Sequence, residues 1–508
     1  MSSTTYRTSI NELGGGRIAL LLLLFALALY QFYLSGFSAF ATLCMLPIVV
    51  MVVIFAFKYK MLLFWAMVAI NFILQWKNSP LPSGIPLSLY NEMLSIILLL
   101  MAILNIKETR FEACLNEMFA ALIIWCSYVT LEVINDTCGM AWDFASWFIG
   151  ARMMAYQLMY AFLVFTIYIV TPKRLIKYLF LWGALSMFAV FWIWKQKYIG
   201  FTQIERGWLQ GSRTHILAGG TLIRYFSTFN DAASAGVYFA SAGVAFLIMG
   251  ITAKVKKYKY IFLAFGGACT WAMFPTGTRT AIACFLAGFM VYTLLSKSIK
   301  LASTVGIAGL LLFFMLAFTN IGQGNQMIRR MRSAFNSEDA SANLREQNQA
   351  VMKKYLAEAP FGIGVGLTGG SISSNHKFYV MSTIAPDSEY VFIWIHTGAV
   401  GITIFLLTTF IMFFGASRIV LFKLTSSSLR GIGGALTCAF VSVQLGGYGN
   451  QVLMQFPLCM VFYGALSMVY VLPFYEKEWI EHENKLLAKQ EEKTRLKKEK
   501  GKKRLSSK

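Results

Sequence analysis

Apolar segments of about 20 residues follow one another along most of this chain, and one long polar stretch breaks the series. From Thr319 to Pro386 the apolar runs stop, and charged, glycine-rich and aromatic sequence takes their place. Segments of that length match the ~30 Å hydrocarbon core that a transmembrane helix must cross. A multi-span chain that keeps one large loop bears the ordering entropy of that loop. The loop is therefore the expected seat of recognition or chemistry.

Composition points the same way. The chain is 57% hydrophobic and 13% charged, the balance of a polytopic membrane protein rather than of a soluble enzyme on an anchor. Its formal net charge of +22 suggests nucleic acid only until its placement is read. Lys and Arg gather in short connectors between apolar runs and in the tail from Glu476 to Lys508. That is the pattern of positive-inside orientation and of contact with anionic lipid headgroups. Membrane lipids are expected partners and nucleic acid is not. The eight cysteines show neither metal-ligand nor disulfide spacing, so no redox role is expected. Arg7 and Arg17 precede an apolar run too long for a signal-peptide core, and a second run follows at once, so the first reads as an uncleaved helix.

The runs predict an all-α polytopic integral membrane protein of roughly fourteen transmembrane helices. They fall near 18–36, 38–57, 61–76, 89–106, 117–134, 147–170, 176–194, 231–252, 260–275, 279–296, 301–319, 388–414, 429–447 and 452–474. The basic connectors, among them Lys58/Lys60, Lys173/Arg174/Lys177, Lys254–Lys259 and Arg418/Lys423/Arg430, fall on one side with both termini. That side is the cytoplasm. Four regions follow. Residues 1–318 hold the first spans, with short loops and an exoplasmic loop near 195–229; 319–386 form the large exoplasmic loop; 387–475 hold the last three spans; 476–508 are a basic cytoplasmic tail, read as an exposed helix that frays against anionic lipid.

Four groups of residues suit chemistry on the exoplasmic side. In Arg224–Asp231, Asn230 or Asp231 suits the N-cap of the span that follows, and Arg224 suits an anionic headgroup. The tight turn Pro275–Thr280 sets Arg279 at the outer end of a helix. An arginine there costs on the order of 2.5–3.5 kcal/mol on insertion scales, so it snorkels to lipid phosphate or meets an anion; the short turn favours the anion. The helix predicted over Asn343–Glu358 carries Arg345, Lys353 and Lys354 and ends before Pro360. After it, Gly362, Gly364 and Gly366 either let backbone N–H groups approach a ligand closely or make a plain turn. Finally, Asp387 or Ser388 can cap the span at 388–414, while the Asp387 and Glu389 carboxylates can also take a proton from an acceptor hydroxyl. His396 reads as a packed residue, and His376 stays open in the loop. Arginine forks fit phosphate oxygens and stay charged at any working pH. With no metal-ligand cluster and no nucleotide motif, no metal and no cofactor are expected, and a lipid diphosphate fits the set.

Arg224…Phe229-Asn230-Asp231, Gly277-Thr278-Arg279, Arg345 with Pro360–Gly366, and Asp387-Ser388-Glu389-Tyr390 through Gly398–Gly401 occur in the order seen in O-antigen ligase and polymerase proteins. The chain resembles that family over about residues 210–405. The resemblance implies a GT-C-like, inverting, metal-independent membrane glycosyltransferase acting on undecaprenyl-diphosphate-linked glycans. It also implies that Arg224, Arg279 and Arg345 stand where the donor diphosphate binds, with Gly362, Gly364 and Gly366 as candidates beside them. Ligases commonly carry His-Asn where this chain has Asp387-Ser388, and that histidine is their proposed base. The replacement leans toward a repeat-unit polymerase, with Asp387, Arg345 and Arg279 as catalytic candidates. The expectation is thus an exoplasmic polymerase in a bacterial inner membrane, with a glycan donor, a glycan acceptor and a chain-length regulator protein as partners. Transfer of finished glycan to lipid A-core or protein is the alternative, and a lipid-linked oligosaccharide flippase is the second.

Overall fold

The computed structural model describes residues 23, 30, 59–80, 87–139, 143–211, 216–217, 222–297, 340–367, 371–384 and 386–505, with isolated positions between 303 and 332. Two compact units, Met1–Leu63 and Phe64–Lys508, divide the chain. The first contributes, among its described residues, the opening turn of α1 (Lys60–Asn71). The expected span at 38–57, and all but isolated positions of 18–36 and 301–319, lie outside the described residues.

Among its described residues the second unit is mostly helical, with turns and loops between helices and a two-residue antiparallel ladder, which pairs Ile216 with Ile223 and Leu217 with Leu222. In chain order come α2 (Leu87–Leu104), α3 (Glu117–Leu131), α4 (Phe144–Ala151), α5 (Gln157–Tyr168), α6 (Pro172–Tyr198) and α7 (Gln203–Gly211). After the ladder follow α8 (Ala232–Thr252), α9 (Lys256–Met273), α10 (Arg279–Leu295), α11 (Ala340–Leu356) and α12 (Tyr379–Thr383). The last four are α13 (Glu389–Arg418), α14 (Ser427–Gly449), α15 (Leu458–Val471) and α16 (Glu476–Leu505). Some starts are capped by the polar residue that precedes them. Asn116 accepts from the N–H groups of Met118 and Phe119 at 3.0 and 3.1 Å. Thr171 caps α6, whose first residue is Pro172, a position where the missing N–H costs nothing.

Among the described residues, seven helices are long and apolar enough to cross a membrane, and α1, α10 and residues 88–104 are shorter apolar helices. This is a membrane protein. The expected spans from 61–76 through 279–296, and from 388–414 through 452–474, each fall on a described helix. In the most apolar 18 residues of α8 and of α14, 83% of residues are buried, against 33% in α3 and in α13. The first two therefore form the middle of the bundle and the second two its rim. Small residues let the middle helices close up. A Cβ on Gly250 would lie 2.9 Å from the Leu263 backbone N, and one on Gly266 would lie 2.8 Å from that of Leu247.

The tail differs from expectation. The start of α16 is docked, not frayed: Glu476 accepts from the N–H groups of Thr425 and Ser426 at 2.8 and 2.7 Å, and the Trp479 indole donates to Ser428 Oγ at 3.1 Å.

Candidate active site

The two long connectors meet at one end of the bundle, the loop end. Part of the 319–386 segment folds on a small core of its own, in which Met352, Leu356, Ile363, Phe378 and Met381 pack with Cys138 and Ile395. That core seats α11 and the turn after it on the entrance of α13.

Arg224 is held by the turn that leads into α10. Its Nε donates to Thr276 O at 3.2 Å and its Nη2 to Thr278 Oγ1 at 3.0 Å, while the Thr278 hydroxyl donates to Ala232 O at 2.7 Å. Gly277 makes the turn with φ of +58°, a left-handed conformation that glycine adopts without a Cβ penalty. Arg279 follows as the first residue of α10. Burial lowers the pKa of Arg224; Asp231 raises it, and the positive fields of Arg279 and Arg345 lower it further. Arg224, far from both in sequence, thus stands close enough to Arg279 and to Arg345 to feel each charge.

Arg345, on α11, meets Asp387 at the mouth of α13, with 3.8 Å between Nε and Oδ2. At that distance the two are an ion pair without a hydrogen bond. Their side chains remain 34% and 41% exposed, so the pair is open to a ligand. The capping role expected for this position is not made. Ser388 is the N-cap residue, but its side chain makes no cap bond and donates instead to Gly447 O at 3.1 Å. Asp231 does cap α8, accepting from Ser234 N at 2.7 Å.

The glycine turn is spent on packing. Gly362 N donates to Ala359 O, Ile363 N to Ile395 O and Gly364 N to His396 O, at 2.9, 2.9 and 3.2 Å. In return, α13 breaks its helical geometry at Gly398, where φ is +65°, and Val400 N donates to Pro360 O at 3.2 Å. A Cβ on Gly362 would stand 2.5 Å from Gly398 N, and one on Gly366 would strike Ser146 O. The N–H donors of Gly362 and Gly364 are therefore not available to a diphosphate. The glycines fix where α11 sits. His396 is buried beneath the turn, its Nδ1 2.9 Å from Gly364 O, while His376 Nδ1 takes the N–H of Phe378 at 3.3 Å.

Residues 261–406 match the O-antigen ligase family. The match runs from α9 into α13 and takes in Arg279, Arg345, the glycine turn and Asp387; Arg224 lies ahead of it. The match covers less than a third of the chain, and over that stretch the chain is similar to O-antigen ligases. No curated protein matches the chain.

One neighbour of the site, Lys77, escaped the sequence. Lys77 donates to Asn230 Oδ1 at 3.4 Å and lies 4.3 Å over the Trp208 ring; burial lowers its pKa and Asp231 raises it. A lysine in a short connector on the side where the charge rule expects few was the available signal. Glu389 is buried, with Oε2 accepting from Leu453 N at 2.9 Å, so it holds the α14–α15 connector. Among the described residues, no three His, Cys, Asp or Glu side chains gather in a way that could hold a metal ion.

Proposed function

We propose that this chain is an exoplasmic glycosyltransferase that polymerises undecaprenyl-diphosphate-linked repeat units into O-antigen or capsule-like polysaccharide. The observation that carries the reading is the gathering of Arg224, Arg279 and Arg345 at one end of the bundle, with Asp387 beside Arg345. In this reading the arginines hold the donor diphosphate, supplying the charge compensation that a metal gives other transferases. An acceptor hydroxyl gives its proton to Asp387 and attacks the anomeric carbon. The glycosidic oxygen–carbon bond forms as the bond to the diphosphate breaks, and the lipid diphosphate leaves with the electron pair. Attack opposite the leaving group inverts the anomeric centre. The glycine turn serves as the brace that sets Arg345 against Asp387.

The reading also takes in a GT-C-like arrangement of about fourteen spans with the region boundaries given above, both termini in the cytoplasm of an inner membrane, and a chain-length regulator as partner. Lys173, Arg174, Lys254 and Arg418 lie at the helix ends away from the loop end, which supports that orientation. A cysteine at Ser371 should be labelled from outside intact cells and one at Ser427 should not.

The decisive assay uses purified protein in liposomes with a lipid-linked repeat unit. Extension to longer chains supports the reading, and persistence of single units overturns it. The matched family's description favours a second reading, transfer of finished glycan to another acceptor. Glycolipids from a deletion strain separate the two. Unpolymerised single units mark a polymerase, and long lipid-linked chains left unligated mark a ligase.

A further inference from the structure

Near the mouth of α13 the bundle holds a cavity of about 280 Å³, lined by Gln75 just after α1, by residues of α2, α5 and α13, by the α14–α15 connector and by the segment that joins α4 to α5. That volume has room for about nine waters at ~30 Å³ each, too much for a single structural water and close to the lower bound for a small-molecule site. Gln75, Ser88, Gln157, Glu389, Gln451 and Gln455 bring polar groups to its wall. Between them Phe392, Met454 and Phe456 bring apolar surface.

The polar groups are held in place by their outer contacts. Gln157 Nε2 donates to Met454 O at 2.8 Å, and Glu389 is fixed by Leu453 N. Arg152 reaches Ser88 Oγ at 3.0 Å while it grips Glu92 through two bonds of 2.7 and 2.9 Å. A π-turn at Arg152–Tyr156 sets Gln157 in register, a device that recurs at functional sites. Two acceptors of the lining are unmet. Gln157 is 1% exposed, and its Oε1, like Gln75 Oε1, has no hydrogen-bond partner among the described residues. Buried acceptors of this kind are expensive unless a donor arrives.

The chemistry of the wall selects its occupant. Among the described residues no lysine or arginine lines the cavity and a carboxylate does, so a diphosphate is disfavoured. An acyl chain would leave the amide oxygens unmet. A pyranose ring offers a rim of hydroxyl donors and apolar C–H faces, which answers both halves of the wall. Glu389, two residues after Asp387, ties the cavity to the reacting position. We propose that this cavity binds an uncharged sugar ring of the acceptor glycan, with Gln75, Gln157 and Glu389 as hydrogen-bond acceptors. The proposal rests on the glycosyl-transfer reading and adds the acceptor subsite to it.

The test uses the full-length protein in nanodiscs and, as probe, the free saccharide repeat unit released by mild acid from the native cell's lipid-linked donor. Its Kd is measured by calorimetry for wild type, Gln157→Leu and the cavity-filling Ser88→Trp, with binding of the intact lipid diphosphate as a control of folding. The expected result is a saccharide Kd raised about tenfold in Gln157→Leu, the loss of one buried hydrogen bond. Ser88→Trp should abolish saccharide binding, and both variants should keep the lipid diphosphate. Saccharide binding unchanged in both variants would overturn the proposal. So would Ser88→Trp expelling a copurified phospholipid while saccharide binding stays intact. Loss of saccharide binding in the variants of a wild type that shows no transfer supports the site and removes only the transfer reading.

Discussion

Asp387 Oδ2 stands 3.8 Å from Arg345 Nε, across the junction between a loop helix and the mouth of α13. The pair explains why a carboxylate can sit at a helix entrance without capping it. The helix is entered at Ser388, which turns its hydroxyl to Gly447. Among the described residues, Asp387 is thereby left facing the guanidinium.

If that carboxylate takes the proton, an amide cannot replace it. Asp387→Asn should insert and fold normally, because no cap bond is lost, and should lower turnover by about 10²–10⁴-fold in the purified assay. Normal turnover by this variant would leave Asp387 as the counter-ion of Arg345 and nothing more.

Arg224 and Arg279 should fail in different ways. Arg224 fastens the turn through Thr276 and Thr278, so Arg224→Ala should cost ~1–3 kcal/mol in a thermal melt as well as activity. Arg279→Lys keeps the charge but loses the two-pronged fork, so it should melt like wild type and lose most of its turnover. Wild-type turnover in Arg279→Lys would return this residue to snorkelling.

Gly362→Ala tests whether the glycine turn packs or binds. The new Cβ would meet α13 backbone 2.5 Å away, at a φ of +77°, and should destabilise by on the order of 3 kcal/mol. Gly267→Ala, on α9 with no heavy atom within 4 Å of the added Cβ, should be neutral or stabilising by ~0.5–1 kcal/mol. A Gly362→Ala protein that melts like wild type and only weakens donor binding would put the turn on the ligand.

Glu205 sets an acid limit. Burial pushes its carboxyl up, but the Thr202 N–H, the Gln196 and Trp192 side chains and Lys195 outweigh burial, and its pKa lies below the usual 4.5. A lowered folded pKa means that the stabilisation is full above about pH 4.5 and is lost as pH falls through the lower folded value. Glu205→Gln should therefore cost ~2 kcal/mol at pH 7. Melting curves taken from pH 7 down to pH 3 should show the gap to wild type closing below pH 4.5. A gap that stays constant with pH would mean that the charge is not what stabilises the loop.

The sequence by itself determined what depends on neighbours along the chain. Length and hydrophobicity mark α8, α13 and α14 because the bilayer sets both requirements locally. Asp231 is legible as a cap because it reaches only to Ser234. The arginines too stand out one at a time, as charges where an apolar helix begins. Only the tertiary structure decided which of these act together. Arg224 and the Thr276–Thr278 turn, Arg345 and Asp387, and the Gly362 turn and the Gly398 kink are contacts between segments distant in sequence, and no periodicity records them. The glycines show the cost of that blindness, since the same G-x-G-x-G serves an anion cradle or a backbone-to-backbone joint. Where the N–H groups go chooses between them, and here they go to Ile395 and His396. Gln75 and Gln157 were invisible for the same reason: an amide in an apolar run becomes a binding group only when other helices close a cavity around it.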